Sequence, residues 1–151
     1  MNLIFWWSRL EAAFGCIHLS IRQCDTQHAP ALLDLLHPDR EILAESTHEL
    51  AFLDAFPVSP CHALVVPKRH VATIFALTEA EYADCFLLVL KVKDLLVAPH
   101  TPDGFNVGVN CGDAGGQSVW HAHIHLIPRY TGDTPHPREG VRDVIPRKAD
   151  Y

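Results

Sequence analysis

Three histidines stand at every second position in 119-VWHAHIHLIP-128: His121, His123 and His125. An extended segment turns alternate side chains to opposite faces, so these imidazoles share one face. Trp120, Ala122, Ile124 and Leu126 share the other, which is apolar and belongs to the core. The histidine face must then meet something polar. Metal ligation is one use. Three histidines on a straight strand span about 13 Å at ~3.3 Å per residue, whereas zinc holds nitrogen at ~2.1 Å. That spacing argues against a three-histidine metal site on this strand alone and leaves open a pair completed from elsewhere. A chain with 11 histidines could also carry a polar face without purpose, although strict alternation fits chance poorly. The remaining use is chemistry near neutral pH, where imidazole attacks as a nucleophile and carries protons.

The residues just upstream suggest what would be attacked. In 112-GDAGGQS-118, glycines let backbone N–H groups approach a ligand closely. Such turns form concavities that hold phosphate oxygens, and Gln117 and Ser118 add side-chain donors. A glycine-rich turn alone is weak evidence. Beside a histidine row it forms a coherent phosphate site.

The elements that must position these groups follow from patterning. Segments 49–55, 62–68, 104–110 and 119–128 read as strands. Prolines in 57-PVSP-60 mark a turn. Thr78 and Glu81 form a capping box that opens a helix of about twenty residues, roughly 30 Å long. Pro99 ends it. Strands outnumber long helices and do not alternate with them, which favours α+β over a doubly wound sheet. The tail 131–151 is proline-rich and reads as a surface segment.

Length and charge narrow the function. The 151 residues fit one domain, and 48% hydrophobic content supplies a core. A net charge of −6 with no Lys/Arg-rich run excludes a nucleic-acid footprint. The five cysteines, Cys16, Cys24, Cys61, Cys85 and Cys111, show no CxxC pair and read as reduced thiols of a cytoplasmic protein. The apolar run Leu3–Trp7 is far short of a membrane span of ~20 residues. It also lacks the basic flank of a signal peptide. Leu3, Trp7, Leu10 and Phe14 form one stripe of a helix. Cys16, His18, Cys24 and His28 are zinc-ligating residue types, but their spacing makes no tight zinc motif, so no structural zinc is expected.

Taken together, 121-HAHIHLI-127, 105-FNVGVNCGDAGGQSVWH-121, 51-AFLDAFPVSPCHALVVPKRHV-71 and the capped helix resemble the histidine triad (HIT) family, bacterial members included. The resemblance covers residues 41–151, and residues 1–40 form an N-terminal extension of unassigned role. It implies a HIT-like fold, an antiparallel sheet of about five strands with a long helix packed on it. It also implies a homodimer and an adenine-nucleotide ligand. The implied activity is hydrolysis or transfer at the α-phosphate through a nucleotidyl-histidine, with no cofactor required and magnesium only on the substrate phosphates. By the same resemblance His123 is the nucleophile, His121 orients it, His125 meets the phosphate and leaving group, and His62 completes the network. Asp54 falls at the ribose position, Asn110, Gln117 and Ser118 at phosphate positions, and Phe52 at the base pocket. His70 matches in sequence and reads as structural. Cys61 stands where many members carry Gly or Thr. The run 124-IHLIPRY-130 resembles the dinucleoside-polyphosphate hydrolase branch. Nucleoside phosphoramidase and a nucleotide-binding module with little turnover are the alternatives.

Overall fold

The computed structural model describes residues 41–145. The N-terminal stripe, the Cys/His set before residue 30 and residues 146–151 lie outside them. Five strands, β1 (Ile42–Glu45), β2 (Glu49–Leu53), β3 (Ala63–Pro67), β4 (Gly104–Gly108) and β5 (Ile124–Arg129), form a single sheet in the order β1-β2-β3-β5-β4. Every pairing is antiparallel. One long helix, α1 (Glu79–His100), packs across β1, β2, β3 and β5. The α+β architecture is the one expected.

Register divides the sheet into two faces. Ala51, Val65 and Ile124 pair laterally and meet Cys85, Leu88, Val89, Val92 and Leu96 of α1. The adjacent row, Phe52, Leu64 and His125, points away from the helix. Laterally paired residues share a face. The buried apolar row therefore dictates where His125 must point.

Several boundaries differ from the sequence reading. α1 starts as expected, with Thr78 accepting from Glu81 N–H and the Glu81 carboxylate accepting from Thr78 N–H. It continues past Pro99 to His100 and closes through Thr101, whose left-handed φ of 45° lets its N–H reach the Val97 carbonyl at 3.0 Å. Pro99 cannot donate to the preceding turn, and the helix ends one residue beyond it. β1 adds a short strand that the pattern did not reveal. The segment expected as one strand over 119–128 is a strand only from Ile124. Trp120 is 49% exposed rather than in the core, and His121 is fully buried. The cause is tertiary: Ala122 N–H is taken by the Val71 carbonyl at 2.7 Å, outside the sheet ladder. Residues 131–145 run mostly exposed and include a 3-10 turn at Gly140–Val144.

Candidate active site

The site lies on the helix-free face, where β5 begins. His125 belongs to the strand, whereas His121 and His123 sit in the bend that feeds it. The row is therefore not three equivalent pleat positions. Each imidazole is placed by its own hydrogen bonds.

His123 Nδ1 lies 2.7 Å from the His121 carbonyl oxygen. A carbonyl only accepts, so Nδ1 carries the proton and Nε2 of the neutral ring is left with its lone pair. The tautomer is fixed by the backbone two residues away, and the bare Nε2 has a lone pair to offer. His121 is held the same way: Nε2 donates to the Pro67 carbonyl at 2.8 Å. Burial holds its pKa down to about 4, with the neighbouring His70 and His123 adding to the effect.

His125 and His62 form a second unit. His125 Nδ1 and His62 Nε2 are 3.0 Å apart. The Val58 N–H and the Asp54 carboxylate both lie 3.4 Å from His62 Nδ1. With Val58 donating, His62 Nε2–H donates onward and His125 holds its single proton on Nε2. With the proton on His62 Nδ1 towards Asp54, the chain reverses and His125 Nε2 is bare. One proton thus has two resting places. Burial pushes the His125 pKa down to about 4 and also lowers that of His62, where Asp54 opposes the shift. The rings of His123 and His125 meet edge-on, with centroids 4.9 Å apart.

The residues expected to bind substrate divide by what their polar atoms already hold. Asp54 follows β2 and is half-buried, with its carboxylate also accepting from Phe56 N–H at 3.0 Å. Among the described residues Asn110 makes one long contact, to the Gly116 carbonyl at 3.4 Å, and Ser118 is exposed with no partner. Gln117 is buried and fully occupied. Its amide nitrogen donates to the Ala72 and Val119 carbonyls at 2.6 and 2.9 Å, and its oxygen accepts from Gly112 N–H at 2.9 Å. It builds the turn. Gly112 and Gly116 have φ of 74° and 79°, values that favour glycine. Phe52 is fully buried against Leu64 and Val66 on the same face as His125. Arg138 and Arg142 are exposed. A hollow of about 260 Å³ opens further along this face, lined by Val58, Asn106, Ile127 and Tyr130 among others.

One contact was missed in the sequence. His70, read as structural, places Nδ1 3.0 Å from His121 Nδ1. Cys61 takes a left-handed φ of 63° directly before His62, a conformation that favours glycine. For a metal, the described residues gather Asp54, His62 and His125, with one ligand atom each within 4.8 Å of one another, rather than the three-histidine row. Their two nitrogens already share a hydrogen bond, so a cation would have to displace that proton. Among the described residues no helix is long and apolar enough to cross a membrane.

Comparison with known proteins places this geometry in a family. The Protein hit of Bacillus subtilis is 40% identical over 86 residues, covering 57% of this chain and 59% of that one. An AP-4-A phosphorylase of Mycobacterium tuberculosis is 37% identical over 93 residues, covering 61% and 48%. The chain thus spans less than two thirds of either relative. A crystal structure of a HIT family protein from Bacillus anthracis superposes with a TM-score of 0.60 at 42% identity, over 62% of this chain and 67% of that one. The HIT domain model matches residues 37–132, more than half of the sequence, and the chain belongs to the HIT domain family.

Proposed function

We propose that this protein is a nucleotide hydrolase or nucleotidyl transferase that acts at the α-phosphate of diadenosine-polyphosphate-like substrates. The observation that carries the reading is the His123 tautomer: Nδ1–H is spent on the His121 carbonyl, which leaves Nε2 to attack phosphorus. The M. tuberculosis relative named for AP-4-A supports this substrate class.

In the first step His123 Nε2 bonds to the α-phosphorus in line, and the bond to the leaving oxygen breaks. Positioning and charge stabilisation supply most of the acceleration in such reactions. Asn110 and Ser118 are the available side-chain donors, since the Gly112, Gly115 and Gly116 N–H groups are already bonded within the turn. His125, with its proton on Nε2, donates a hydrogen bond to the leaving oxygen, which departs as a polyphosphate anion. In the second step water attacks the P–N bond, His125 takes the water's proton, and the nucleoside monophosphate departs with His123 restored. Between the steps the His62–Asp54 chain switches to the arrangement with the proton on His62 Nδ1 towards Asp54, which bares His125 Nε2 to receive the water's proton before it passes to solvent. Asp54 also takes the ribose hydroxyls, and Phe52 backs the base. Magnesium travels only on the leaving polyphosphate. The homodimer belongs to the same reading. Its support is the outer face of α1, where Leu87 and Leu90 are 65% and 55% exposed.

The test incubates the full chain and a His123→Ala variant with diadenosine tetraphosphate and with an adenosine phosphoramidate. AMP release by the parent alone, with a transient AMP adduct on the protein, is expected. Turnover by the variant at the parental rate would refute the nucleophile. Faster cleavage of the phosphoramidate would replace the substrate class, and tight AMP binding without turnover in both proteins would make the chain a binding module.

A further inference from the structure

We infer that His70 is a positioning residue for the nucleophile: its Nδ1–H locks the His121 ring, and the His121 carbonyl in turn holds His123. The functional half of this inference rests on the reading of His123 given above. The structural half stands on proton counting alone.

His121 is fully buried, with Nε2 donating to the Pro67 carbonyl. Burial keeps the ring neutral, so it has one proton and Nδ1 is bare. A bare buried nitrogen needs a donor. The atom in reach is His70 Nδ1 at 3.0 Å, with ring centroids 5.2 Å apart. His70 must therefore carry a proton on Nδ1. Its Nε2 is the remaining nitrogen of an exposed residue, and protonation there leaves the Nδ1–H contact intact.

The backbone around His70 is fixed from both sides. Arg69 grips both carboxylate oxygens of Glu81 at 2.7 Å and the Ala76 carbonyl at 3.1 Å, which ties the segment to the start of α1. The next two residues hold the histidine loop: the Val71 carbonyl takes Ala122 N–H at 2.7 Å, and the Ala72 carbonyl takes the Gln117 amide at 2.6 Å. His70 is the side chain by which this clamp reaches a triad ring. Without its proton donor, His121 can satisfy Nδ1 only by rotating or by moving its proton, and either breaks the bond to Pro67. The carbonyl that fixes His123 then shifts.

The test compares His70→Leu with His70→Asn, whose side-chain amide nitrogen is attached where Nδ1 is. Proton–nitrogen NMR of the imidazoles reads the tautomers, and kcat and KM are measured with diadenosine tetraphosphate. The parent is expected to show His121 as a single Nε2–H tautomer and His70 with its proton on Nδ1. His70→Leu is expected to mix the His121 tautomers and to lower kcat by about 10- to 100-fold at unchanged KM, since ~1 Å of misplacement costs about 100-fold. His70→Asn restores the tautomer and most of kcat. A parent with neutral His70 protonated on Nε2 overturns the inference whatever the variants do, including a leucine variant that fails to fold. So does a leucine variant with parental tautomer and kcat, or an asparagine variant as impaired as leucine. If the parent turns over neither substrate, the functional reading fails, while the tautomers still decide the contact.

Discussion

Glu49 is a carboxylic acid buried between sheet and helix, and it should set an unusual pH dependence of stability. It is 0% exposed, and neither carboxylate oxygen has an N–H or O–H hydrogen-bond partner among the described residues. Desolvation raises its pKa from 4.5 to about 7, with Asp84 and Glu81 adding to the rise. The Cys85 thiol and Lys68 oppose it, but a thiol is too weak a donor to satisfy a carboxylate. A rise of that size corresponds to about 3 kcal/mol at ~1.4 kcal/mol per pKa unit. The folded value lies above the unfolded one, so the folded state binds more protons between pH 4.5 and 7. The stability associated with protonated Glu49 is complete below pH 4.5 and is lost as pH rises through 7. Glu49→Gln keeps the shape and removes the titration. Urea unfolding of parent and variant, followed from pH 4.5 to 8 and expressed as their difference, cancels every other titrating group. The difference should move by about 3 kcal/mol in the variant's favour towards high pH. A difference that stays constant across this range would refute the reasoning and would mean that Glu49 is ionised and solvated in the folded state.

Further outcomes follow from the same contacts. His121 has a folded pKa of about 4 against an ordinary 6.5, so the stability of its neutral form is present above pH 6.5 and is lost as pH falls towards 4. His125 has the same depressed pKa, so each ring contributes a loss on the order of 3 kcal/mol, which Glu49 only partly offsets in the parent and which should appear more fully in urea unfolding of Glu49→Gln. Thr78→Ala removes the capping box and should lower unfolding stability by about 1 kcal/mol. Gln117→Ala removes three hydrogen bonds from a buried turn, and should cost about 2 kcal/mol in unfolding and weaken AMP binding by titration calorimetry. Because Gln117 shapes the turn, a Ser118→Ala variant should lose AMP affinity without losing stability.

Much of this was legible because its causes are local. The capping box needs only Thr78 and Glu81, and β3 needs only an apolar run bounded by a proline turn. The bent entry to β5 was not legible, because its cause is remote. Periodicity alone makes 119–128 a straight strand, and the atoms that bend it come from Pro67, His70 and Val71, roughly fifty positions upstream. The same distance hid His70. Gln117 was legible as an amide beside glycines but not in its direction, which depends on the Ala72 carbonyl. Glu49 was misleading, since a charged residue opening 49-ELAFLDA-55 resembles a solvated strand end.

The faces of the sheet explain why both a rigid register and a broken strand are needed. A slip of one residue would turn His125 under α1 and Ile124 outward. The Ala51–Val65–Ile124 row forbids that slip, because its burial against α1 would be lost. The pleat thus aims His125, but it cannot place three imidazoles around one phosphorus atom, since alternate residues lie about 6.6 Å apart along a strand. Breaking the strand before Ile124 resolves the conflict. His123 is freed from the pleat and brought edge-on to His125, and its orientation passes to hydrogen bonds. The chosen acceptors are backbone carbonyls, Pro67 for His121 and His121 for His123. A carbonyl cannot donate or titrate, so each one dictates which ring nitrogen keeps the proton at every working pH. The orientation of His123 therefore comes from the main chain, and the side chains among the described residues that hold triad rings are His70 at His121 and His62 at His125.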